Sequence, residues 1–451
     1  MSGIGEVLVN LGYPVSGSDL ASSPVTRRLK KLGASIHRGH KADFVRGADV
    51  VVISSAVQAD NPEVIEARRL QIPVIPRAEM LAELMRMKYG VAVAGAHGKT
   101  TTTAMIAEVL TRGRLDPTVV IGGRVGKLRS GAKLGNGEIM VAEADESDGS
   151  FLKMKPTIAV VTNINREHLD HYDDLGQIQD AFVSFLARVP FYGAAVVCLD
   201  DANIRAILPR VDRKWISYGL SSDADVMASN VEISGFSSSY TAHAQGRELG
   251  RVSLKLPGRH LVYNSLAAIA VGLELDVPFR TIAAALKSFR GVDRRMQLRG
   301  TAFKASVLDD YGHHPAEIAA TLAAIREGFG ARTIVVFQPH RYSRTRALLE
   351  EFGGAFFLAD QVIVTEIYAA GEAPIHGIDG STVVDALVRH GHPSVTWEPK
   401  LKEIPKRLRR LIQPGDIVLT LGAGDVWKVG DALIRAAAGR TGPGGRQRRV
   451  S

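Results

Sequence analysis

Cysteine is almost absent from this chain of 451 residues, and its single occurrence, Cys198, excludes an internal disulfide framework. Cys198 stands within the apolar run Ala-Ala-Val-Val-Cys-Leu, so we expect a buried, inert thiol rather than a nucleophile. Long hydrophobic runs are also absent, because no stretch approaches the roughly 20 residues that span a bilayer. The N-terminus lacks the basic and then apolar order of a signal peptide. These absences predict a cytoplasmic protein without membrane insertion.

Negative charge is in the minority, because 56 lysines and arginines exceed 47 acidic residues and leave a formal net charge of +9. Part of this excess lies in the Gly-rich residues 437–451, which we predict to form a disordered basic tail. A second basic cluster, residues 400–410, has apolar residues at helical spacing and is typical of an amphipathic helix. No nucleic-acid recognition motif accompanies the charge, and anionic small substrates account for it equally well. We therefore expect no nucleic-acid partner.

Alternating strand-like and helix-like runs fill most of the chain and indicate an α/β protein with parallel sheets. The length exceeds one ordinary core, and changes of pattern divide the chain into three segments. We predict domains at residues 1–87, 88–292 and 293–436. Within the second segment, residues 224–256 alternate in the manner of antiparallel strands.

The first segment begins with a helix-like pattern at residues 1–8, and no strand precedes it. Asp19 closes the first strand-like run, where dinucleotide-binding folds place an acid against a ribose hydroxyl. A doubly wound sheet normally starts with a strand and a phosphate-binding turn. We therefore expect the sheet of this segment to lack its middle strand.

The second segment opens with an apolar run that turns through Gly95 and Gly98 into Lys99, Thr100 and a helix-forming stretch. Glycines let backbone N–H groups close around phosphate oxygens at the positive end of a helix. Lys99 adds a point charge near the β/γ bridge of a nucleoside triphosphate, and the Thr100 hydroxyl suits Mg²⁺. Val93 stands where the common eight-residue pattern has its first glycine. The alternative is a glycine-capped turn without a ligand, which the flanking strand and helix disfavour.

Polar clusters follow successive strand-like runs. Glu143 begins an acidic cluster that could reach a Mg²⁺ ion beside Thr100, and the alternative is a solvated loop. The cluster at residues 163–172 contributes imidazoles beside carboxylates, and the alternative is an ordinary loop. Strand ends of a parallel sheet share one edge, so the order of loop, acid and histidine favours a site.

Three further clusters lie later in the chain. His260 and Asn264 stand four residues apart on a predicted helix and could contact a base edge, or could instead cap the helix. Residues 309–315 and 338–345 each follow a strand-like run, and the second holds a pair of arginines. Paired arginines bind carboxylate or phosphate bidentately, although a surface position is the alternative.

Taken in order, these motifs resemble those of the Mur ligases, and the resemblance covers nearly the whole chain except the basic tail. The matching motifs are Gly-Ala-His-Gly-Lys-Thr-Thr-Thr-Thr, Glu-Ala-Asp-Glu-Ser-Asp, Thr-Asn-Ile with a following His, Gly-Arg-His with Tyr-Asn-Ser-Leu-Ala-Ala, Asp-Asp-Tyr-Gly-His-His-Pro, Gln-Pro-His-Arg-Tyr-Ser-Arg-Thr and Ile-Tyr-Ala-Ala-Gly-Glu. The resemblance implies a Rossmann-like N-terminal domain, a central P-loop ATPase domain and a C-terminal Rossmann-like α/β domain. It also implies peptidoglycan synthesis, in which ATP activates the lactyl carboxylate of UDP-N-acetylmuramate as an acyl phosphate that L-alanine attacks.

The resemblance assigns roles to the residues that match its motifs. It implies that ATP is bound by Gly95, Ala96, His97, Gly98, Lys99, Thr100 and Thr101, with adenine contacts from His260 and Asn264. It implies that Mg²⁺ is held by Thr100, Glu143 and His168. It places the UDP-sugar against Ser18, Asp19, Ser54 and Ser55, and alanine and the reacting groups against Tyr311, His313, Arg341 and Arg344. The catalytic set it implies is Lys99, His168, His313, Arg341 and Arg344.

Two departures from the family pattern are visible. Glu167 precedes His168 where the family commonly has Asp, which keeps the charge. The family also begins with a strand and a Gly-rich turn whose last residues match residues 1–3 here, so we expect a coding start placed too late, or a truncation. As written, the chain is then expected to bind the UDP-sugar poorly and to have an unstable first domain.

Two other functions stay open at this point, together with a monomeric or homodimeric state. One is a ligase that recycles a murein tripeptide onto the same sugar nucleotide. The other is a nucleotide-binding regulatory protein that has lost ligation.

Overall fold

The computed structural model of the chain describes residues 1–54, 57–122, 132–167 and 171–439. It divides into two units, each with its own internal packing. The first unit consists of Met1–Val231, Ser239–Leu254 and His260–Val292, and the second consists of Glu232–Ser238, Lys255–Arg259 and the chain from Asp293 onward. Among the described residues, no helix is both long and apolar enough to cross a bilayer.

The N-terminal segment alternates helices and strands as predicted. Its helices are α1 (Ser2–Asn10), α2 (Pro24–Lys31), α3 (Pro62–Arg69) and α4 (Arg77–Arg86), and its strands are β1 (Ser16–Asp19), β2 (Ser35–Arg38), β3 (Val51–Ile53) and β4 (Val74–Pro76). β1 pairs in parallel with β2, and β3 pairs in parallel with β4. The single sheet expected from the alternation is thus present as two separate parallel pairs, and no strand of the described residues joins them.

A ten-stranded sheet forms the centre of the next segment. Its strands are β5 (Tyr89–Ala94), β6 (Thr118–Val120), β7 (Ala132–Lys133), β8 (Ile139–Glu143), β9 (Ile158–Val161), β10 (Ala194–Cys198), β11 (Trp215–Gly219), β12 (Val226–Ser234), β13 (Ser237–Ala244) and β14 (Arg247–Leu254). The helices are α5 (Lys99–Arg112), α6 (Leu175–Leu186), α7 (Ala202–Ile207), α8 (Arg259–Glu274) and α9 (Phe279–Ser288). The strand order is β14-β13-β12-β11-β10-β9-β5-β8-β6-β7, so β5 lies between β9 and β8.

The pairings around β5 determine where its carboxyl end lies. β5 is parallel to β8 and to β9, and Val91–Ala94 of β5 are fully buried. Strands buried on both faces read as continuous apolar runs, which is the pattern of this part of the sequence. The residues that follow β5, β8 and β9 therefore meet at one edge of the sheet.

The predicted antiparallel stretch corresponds to β12, β13 and β14, which are neighbours in the sheet. The connections between these strands contain only residues 235–236 and 245–246, which is the length of hairpin turns and too short for parallel crossovers. In the second turn both residues, Gln245 and Gly246, have positive φ, as a two-residue hairpin turn of type I′ requires.

A six-stranded sheet is the core of the second unit. Its strands are β15 (Gln297–Ala302), β16 (Ala305–Asp310), β17 (Thr333–Phe337), β18 (Gln361–Val364), β19 (Val395–Trp397) and β20 (Ile417–Leu421). The helices are α10 (Pro315–Phe329), α11 (Tyr342–Ala347), α12 (Leu349–Ala355), α13 (Gly380–Arg389), α14 (Ile404–Leu411) and α15 (Trp427–Ala438). β15 is antiparallel to β16 and the other pairs are parallel, with separate apolar clusters on the two faces.

The helices of this unit can be compared with the two predictions made for the basic segments. The amphipathic helix predicted within residues 400–410 is α14, whose Ile404 and Leu408 are fully buried. α15 extends to Ala438, two residues into the segment predicted to be a disordered tail. Residues 440–451 of that segment lie outside the described part of the chain.

The packing of α6 gives a stability prediction. Phe185 is fully buried and its ring centroid lies 4.9 Å from that of Phe151. Removing a buried phenylalanine leaves a cavity, so Phe185→Ala should lower the free energy of unfolding by about 3–5 kcal/mol. Phe191→Ala is the matched control, because Phe191 is 92% exposed and should change stability by less than about 0.5 kcal/mol. Urea unfolding followed by circular dichroism would measure both, and equal effects would contradict the packing described.

Candidate active site

The turn between β5 and α5 has a backbone that only glycine accommodates. Gly95 and Gly98 have φ values of +128° and +83°, in the left-handed region. A Cβ atom on Gly95 would collide with the Thr162 hydroxyl, and one on Gly98 would lie 2.7 Å from Asn264 Oδ1. The turn is a cradle at the N-terminus of α5, where backbone N–H groups are available to an anion.

The residues after β9 hold this turn in place. The backbone N–H of His97 donates to Asn163 Oδ1 at 2.7 Å, and that of Ala96 donates to the Asn163 carbonyl at 3.2 Å. The His97 carbonyl accepts from Thr162 Oγ1 at 2.6 Å and from Asn163 Nδ2 at 3.0 Å. The adjacent strand therefore fixes the conformation of the turn before any ligand arrives.

Lys99 is the cation of the turn, and its side chain is only 16% exposed. Its Nζ atom donates to Glu146 Oε1 at 2.7 Å and to the Gly95 carbonyl at 2.5 Å. Burial acts to lower the pKa of Lys99, but the attraction of Glu146, with smaller contributions from Glu143 and Asp145, more than offsets it. The pKa of Lys99 is raised above its usual 10.5, so the ammonium stays charged at neutral pH.

Thr100 and Glu143 provide oxygen ligands beside Lys99. The Thr100 hydroxyl donates to Glu143 Oε1 at 3.0 Å, and the Gly122 backbone N–H donates to Glu143 Oε2 at 2.8 Å. A hydroxyl and a carboxylate are ligands that suit a hard cation such as Mg²⁺, so these two residues fit the metal that the sequence predicts. The third predicted ligand, His168, lies outside the described residues.

The other residues predicted for ATP binding also lie near this turn. Asn264 is buried on α8 and its amide oxygen faces Gly98, while His260 lies one helical turn earlier. Thr101 is buried in the first turn of α5. The structure thus brings Asn264 to the turn from a distant part of the chain, while its contact with a base stays a prediction.

Glu146 and Glu167 were not predicted as site residues. The signal for Glu146 is its place in the acidic motif, but sequence does not say which of its acids reaches Lys99. Glu167 Oε1 lies 3.0 Å from His97 Nε2, so the residue that departs from the family pattern contacts the turn directly.

The residues predicted to hold the UDP-sugar lie on the two separate strand pairs. Ser18 and Asp19 end β1, and Ser54 follows β3. Ser18 Oγ lies 3.0 Å from His40 Nδ1, which in turn lies 3.0 Å from Glu63 Oε1. His40 and Glu63 are therefore polar neighbours that sequence reasoning missed, and the predicted Ser55 lies outside the described residues.

A second group of predicted residues gathers in the second unit. The ring of His313 lies 5.5 Å from that of Tyr311 and 5.7 Å from that of His340. The guanidinium groups of Arg294 and Arg295 each lie 5.2 Å from the centre of the Tyr311 ring. Arg294 and Arg295 were missed because an Arg-Arg pair before β15 has no motif around it that sequence reasoning used.

Arg341 and Arg344 complete this group. Arg344 Nη1 lies 3.2 Å from His340 Nδ1, and Arg341 Nη1 lies 3.9 Å from a Glu372 oxygen. Arg341 has a φ of +68°, a conformation that costs a non-glycine residue about 1–3 kcal/mol and is often retained at functional sites. Neither His340 nor Glu372 was predicted, although both stand in the quoted motifs.

The two histidines of this group are neutral at physiological pH. Burial lowers the pKa of His313, with a smaller contribution from Arg344. Burial, together with His313 and Arg344, lowers the pKa of His340 to about 4. The arginines therefore carry the positive charge here, and the imidazoles are available as hydrogen-bond partners.

These features define a class of protein. A buried lysine in a glycine turn, at the edge of a largely parallel sheet and beside a hydroxyl–carboxylate pair, is the arrangement of a nucleotide-binding α/β protein. The comparison with known families is more specific. The models described as Mur ligase family, catalytic domain; Mur ligase middle domain; and Mur ligase, glutamate ligase domain match residues 1–89, 93–272 and 294–424.

Individual relatives match along almost the whole chain. The chain is 57% identical to the UDP-N-acetylmuramate–L-alanine ligases of Geobacter sp. (strain M21) and Pelobacter propionicus, covering 96% of this chain and 94% and 95% of those relatives. The crystal structure of the UDP-N-acetylmuramate–alanine ligase of Thermotoga maritima matches with a TM-score of 0.80 at 30% identity, covering 98% of each chain. The chain belongs to the Mur ligase family and is an ATP-dependent ligase with the three-domain fold of that family.

The Lys99–Glu146 ion pair predicts a change in the pH dependence of nucleotide binding. In Glu146→Gln the burial of Lys99 remains but the attraction is lost, so the pKa of Lys99 should fall. Affinity for ADP should then decline at a lower pH in the variant than in the wild type, between about pH 7 and about pH 10. Isothermal titration calorimetry across this range would measure the shift.

Glu138→Gln is the control, because Glu138 is exposed at the opposite end of β8 and loses the same charge. This control should follow the wild-type pH profile. Identical profiles for Glu146→Gln and the wild type would show that Glu146 does not determine the charge of Lys99.

Proposed function

We propose that the chain uses ATP to join L-alanine to the lactyl carboxylate of UDP-N-acetylmuramate in peptidoglycan synthesis. The observation that carries this proposal is the 57% identity to relatives named for that reaction, over 96% of the chain. The matched length includes the phosphate turn, the acidic cluster and the arginine pair. We further propose that it acts in the cytoplasm, where ATP and nucleotide sugars are made.

ATP is proposed to bind along the turn of residues 95–101. The N-terminus of α5 and the Lys99 ammonium favour the β- and γ-phosphates, and the backbone conformation of Gly95 and Gly98 leaves room for them. Asn264 and His260 are proposed to contact the adenine, since Asn264 already lies against Gly98.

Mg²⁺ is proposed to be held by Thr100 and Glu143, with His168 as a further ligand. A bound Mg²⁺ would neutralise charge on the phosphoryl group that is transferred. Lys99 provides a fixed positive charge beside the same position, because Glu146 and the Gly95 carbonyl hold its Nζ atom. Together these groups favour the transition state, in which negative charge is spread over the phosphoryl oxygens.

The proposed reaction has two steps. A carboxylate oxygen of the sugar nucleotide attacks the γ-phosphorus of ATP, the bond to the bridging oxygen breaks, and ADP leaves. The amine of L-alanine then attacks the carbonyl carbon of the acyl phosphate, and phosphate leaves as the amide forms. The amine loses a proton to the medium or to phosphate.

The second unit is proposed to orient L-alanine. Arg341 and Arg344 suit its carboxylate, because guanidinium groups bind carboxylates bidentately. Tyr311 and the neutral His313 are proposed to position the amino acid without adding charge. Ser18, Asp19, Ser54 and Ser55 are proposed to hold the UDP-sugar, within domains divided as predicted at residues 1–87, 88–292 and 293–436.

Phosphate release tests the proposed function directly. Release from ATP should require both UDP-N-acetylmuramate and L-alanine, and turnover that is independent of both would refute ligation. Glycine, L-serine and a murein tripeptide should replace L-alanine poorly, whereas a preference for the tripeptide would favour a recycling ligase.

In Lys99→Met, turnover should be lost while the circular dichroism spectrum is kept, because the charge beside the phosphoryl group is removed. Wild-type turnover in this variant would exclude Lys99 from the mechanism.

The arginine pair gives a separate prediction about alanine. Arg344→Gln should raise the KM for L-alanine about tenfold or more, because a charge-assisted contact is worth about 1.5–3 kcal/mol. Arg346→Gln, an exposed position on the same helix α11, should leave the KM nearly unchanged. Steady-state kinetics at saturating ATP would compare them, and equal KM values for the two variants would contradict the assignment.

A further inference from the structure

A cavity of about 190 Å³ lies inside the first unit, and one of its walls comes from the N-terminal segment. Lys99, Gly122 and Glu143 line it from the central segment, and Arg77 and Leu81 line it from α4. Arg77 and Leu81 are four residues apart, so one face of α4 is turned toward the cavity. Neither Arg77 nor Leu81 belongs to the sequence motifs that resemble those of the Mur ligases.

The charged side chains around the cavity differ in whether they have hydrogen-bond or ion-pair partners. Lys99 is paired with Glu146 at 2.7 Å, and Glu143 accepts hydrogen bonds from Thr100 and from the Gly122 backbone. Arg77 is half-buried, and within residues 1–54, 57–122, 132–167 and 171–439 no hydrogen bond or ion pair holds its guanidinium. Burial lowers the pKa of the Met1 N-terminal ammonium, and the charge of Arg77 lowers it further, so a second cation lies near Arg77. A partly buried cation in such surroundings is costly, so its position favours an anionic ligand.

α4 fixes the backbone of Arg77 relative to the phosphate turn. The helix buries Leu81, Leu84 and Met85, and Met85 occupies the space beside Gly90 where any Cβ would overlap it. Gly90 belongs to β5, which leads directly into the turn. At the exposed side, Glu79 Oε2 forms an ion pair with Lys153 at 2.7 Å. The backbone of Arg77 is thus fixed by a packed helix rather than by a loop, and the guanidinium is left available to a ligand.

We propose that Arg77 is a catalytic residue that binds the lactyl carboxylate of the sugar nucleotide and holds it against the γ-phosphate site beside Lys99. This inference rests on the proposed function and adds a residue to it. The planar guanidinium has two parallel donors that match a carboxylate, and it can keep one of them on the same group as the acyl phosphate forms. Arg77 thereby offsets the repulsion between two anions that must approach each other for the oxygen to attack phosphorus.

Binding of two sugar nucleotides tests this assignment. UDP-N-acetylglucosamine lacks the lactyl ether, and with it the carboxylate, and otherwise matches UDP-N-acetylmuramate. Arg77→Gln should weaken binding of UDP-N-acetylmuramate about tenfold to a hundredfold and that of UDP-N-acetylglucosamine less than about twofold. Arg77→Lys, which keeps the charge but loses the paired donors, should lie between wild type and Arg77→Gln.

Arg86→Gln is the matched control, since Arg86 is exposed at the other end of α4 and pairs with Glu83 at 3.1 Å. It should bind both sugar nucleotides as the wild type does. ADP affinity and the melting temperature of Arg77→Gln should also match the wild type, which shows that the fold and the phosphate turn are intact.

Three results would overturn the proposal: unchanged affinity of Arg77→Gln for UDP-N-acetylmuramate, an equal loss for both sugar nucleotides, or an effect confined to the KM for ATP. A wild-type chain that releases phosphate from ATP without UDP-N-acetylmuramate would instead refute the proposed function itself. Wild-type binding combined with an unaffected variant would refute only the role of Arg77.

Discussion

The site depends on one buried ion pair, in which Glu146 holds the Lys99 ammonium at 2.7 Å inside the turn that follows β5. Burial alone would lower the pKa of the lysine, and the surrounding carboxylates more than reverse that effect. The lysine is therefore a fixed charge that precedes the ligand. The phosphate turn, the hydroxyl–carboxylate pair and the cavity at Arg77 are all arranged around this charge.

The sheet order explains how one short turn collects partners from so much of the chain. β5 lies between β8 and β9, so the acidic cluster after β8 and the Thr162–Asn163 pair after β9 end at the same edge. Open α/β sheets bind ligands beyond the carboxyl ends of their strands for this reason. Asn163 and Thr162 stabilise the backbone of the turn, while Glu143 and Glu146 set its charge.

Sequence reasoning succeeds where the requirement is local. The turn through Gly95 and Gly98 and the helix that follows depend on a few adjacent residues, and they are predicted correctly. In the first segment, alternation predicts parallel strands, and the expected lack of a middle strand matches their division into two pairs. Side-chain contacts between distant residues are harder to predict. Which acid meets Lys99 and which helix presents Arg77 to the cavity likewise follow from packing between distant segments. The roles of all the site residues stay predictions, and two of these residues, His168 and Ser55, lie outside the described part of the chain.

The central claim is that the charge held at Lys99 serves to activate a carboxylate with ATP. Labelling the lactyl carboxylate of UDP-N-acetylmuramate with ¹⁸O tests it most directly, with the released phosphate analysed by mass spectrometry after one turnover with L-alanine. Attack of the carboxylate on the γ-phosphorus predicts that one labelled oxygen appears in inorganic phosphate and the other stays in the amide. Phosphate released without label, while amide accumulates, would contradict the account.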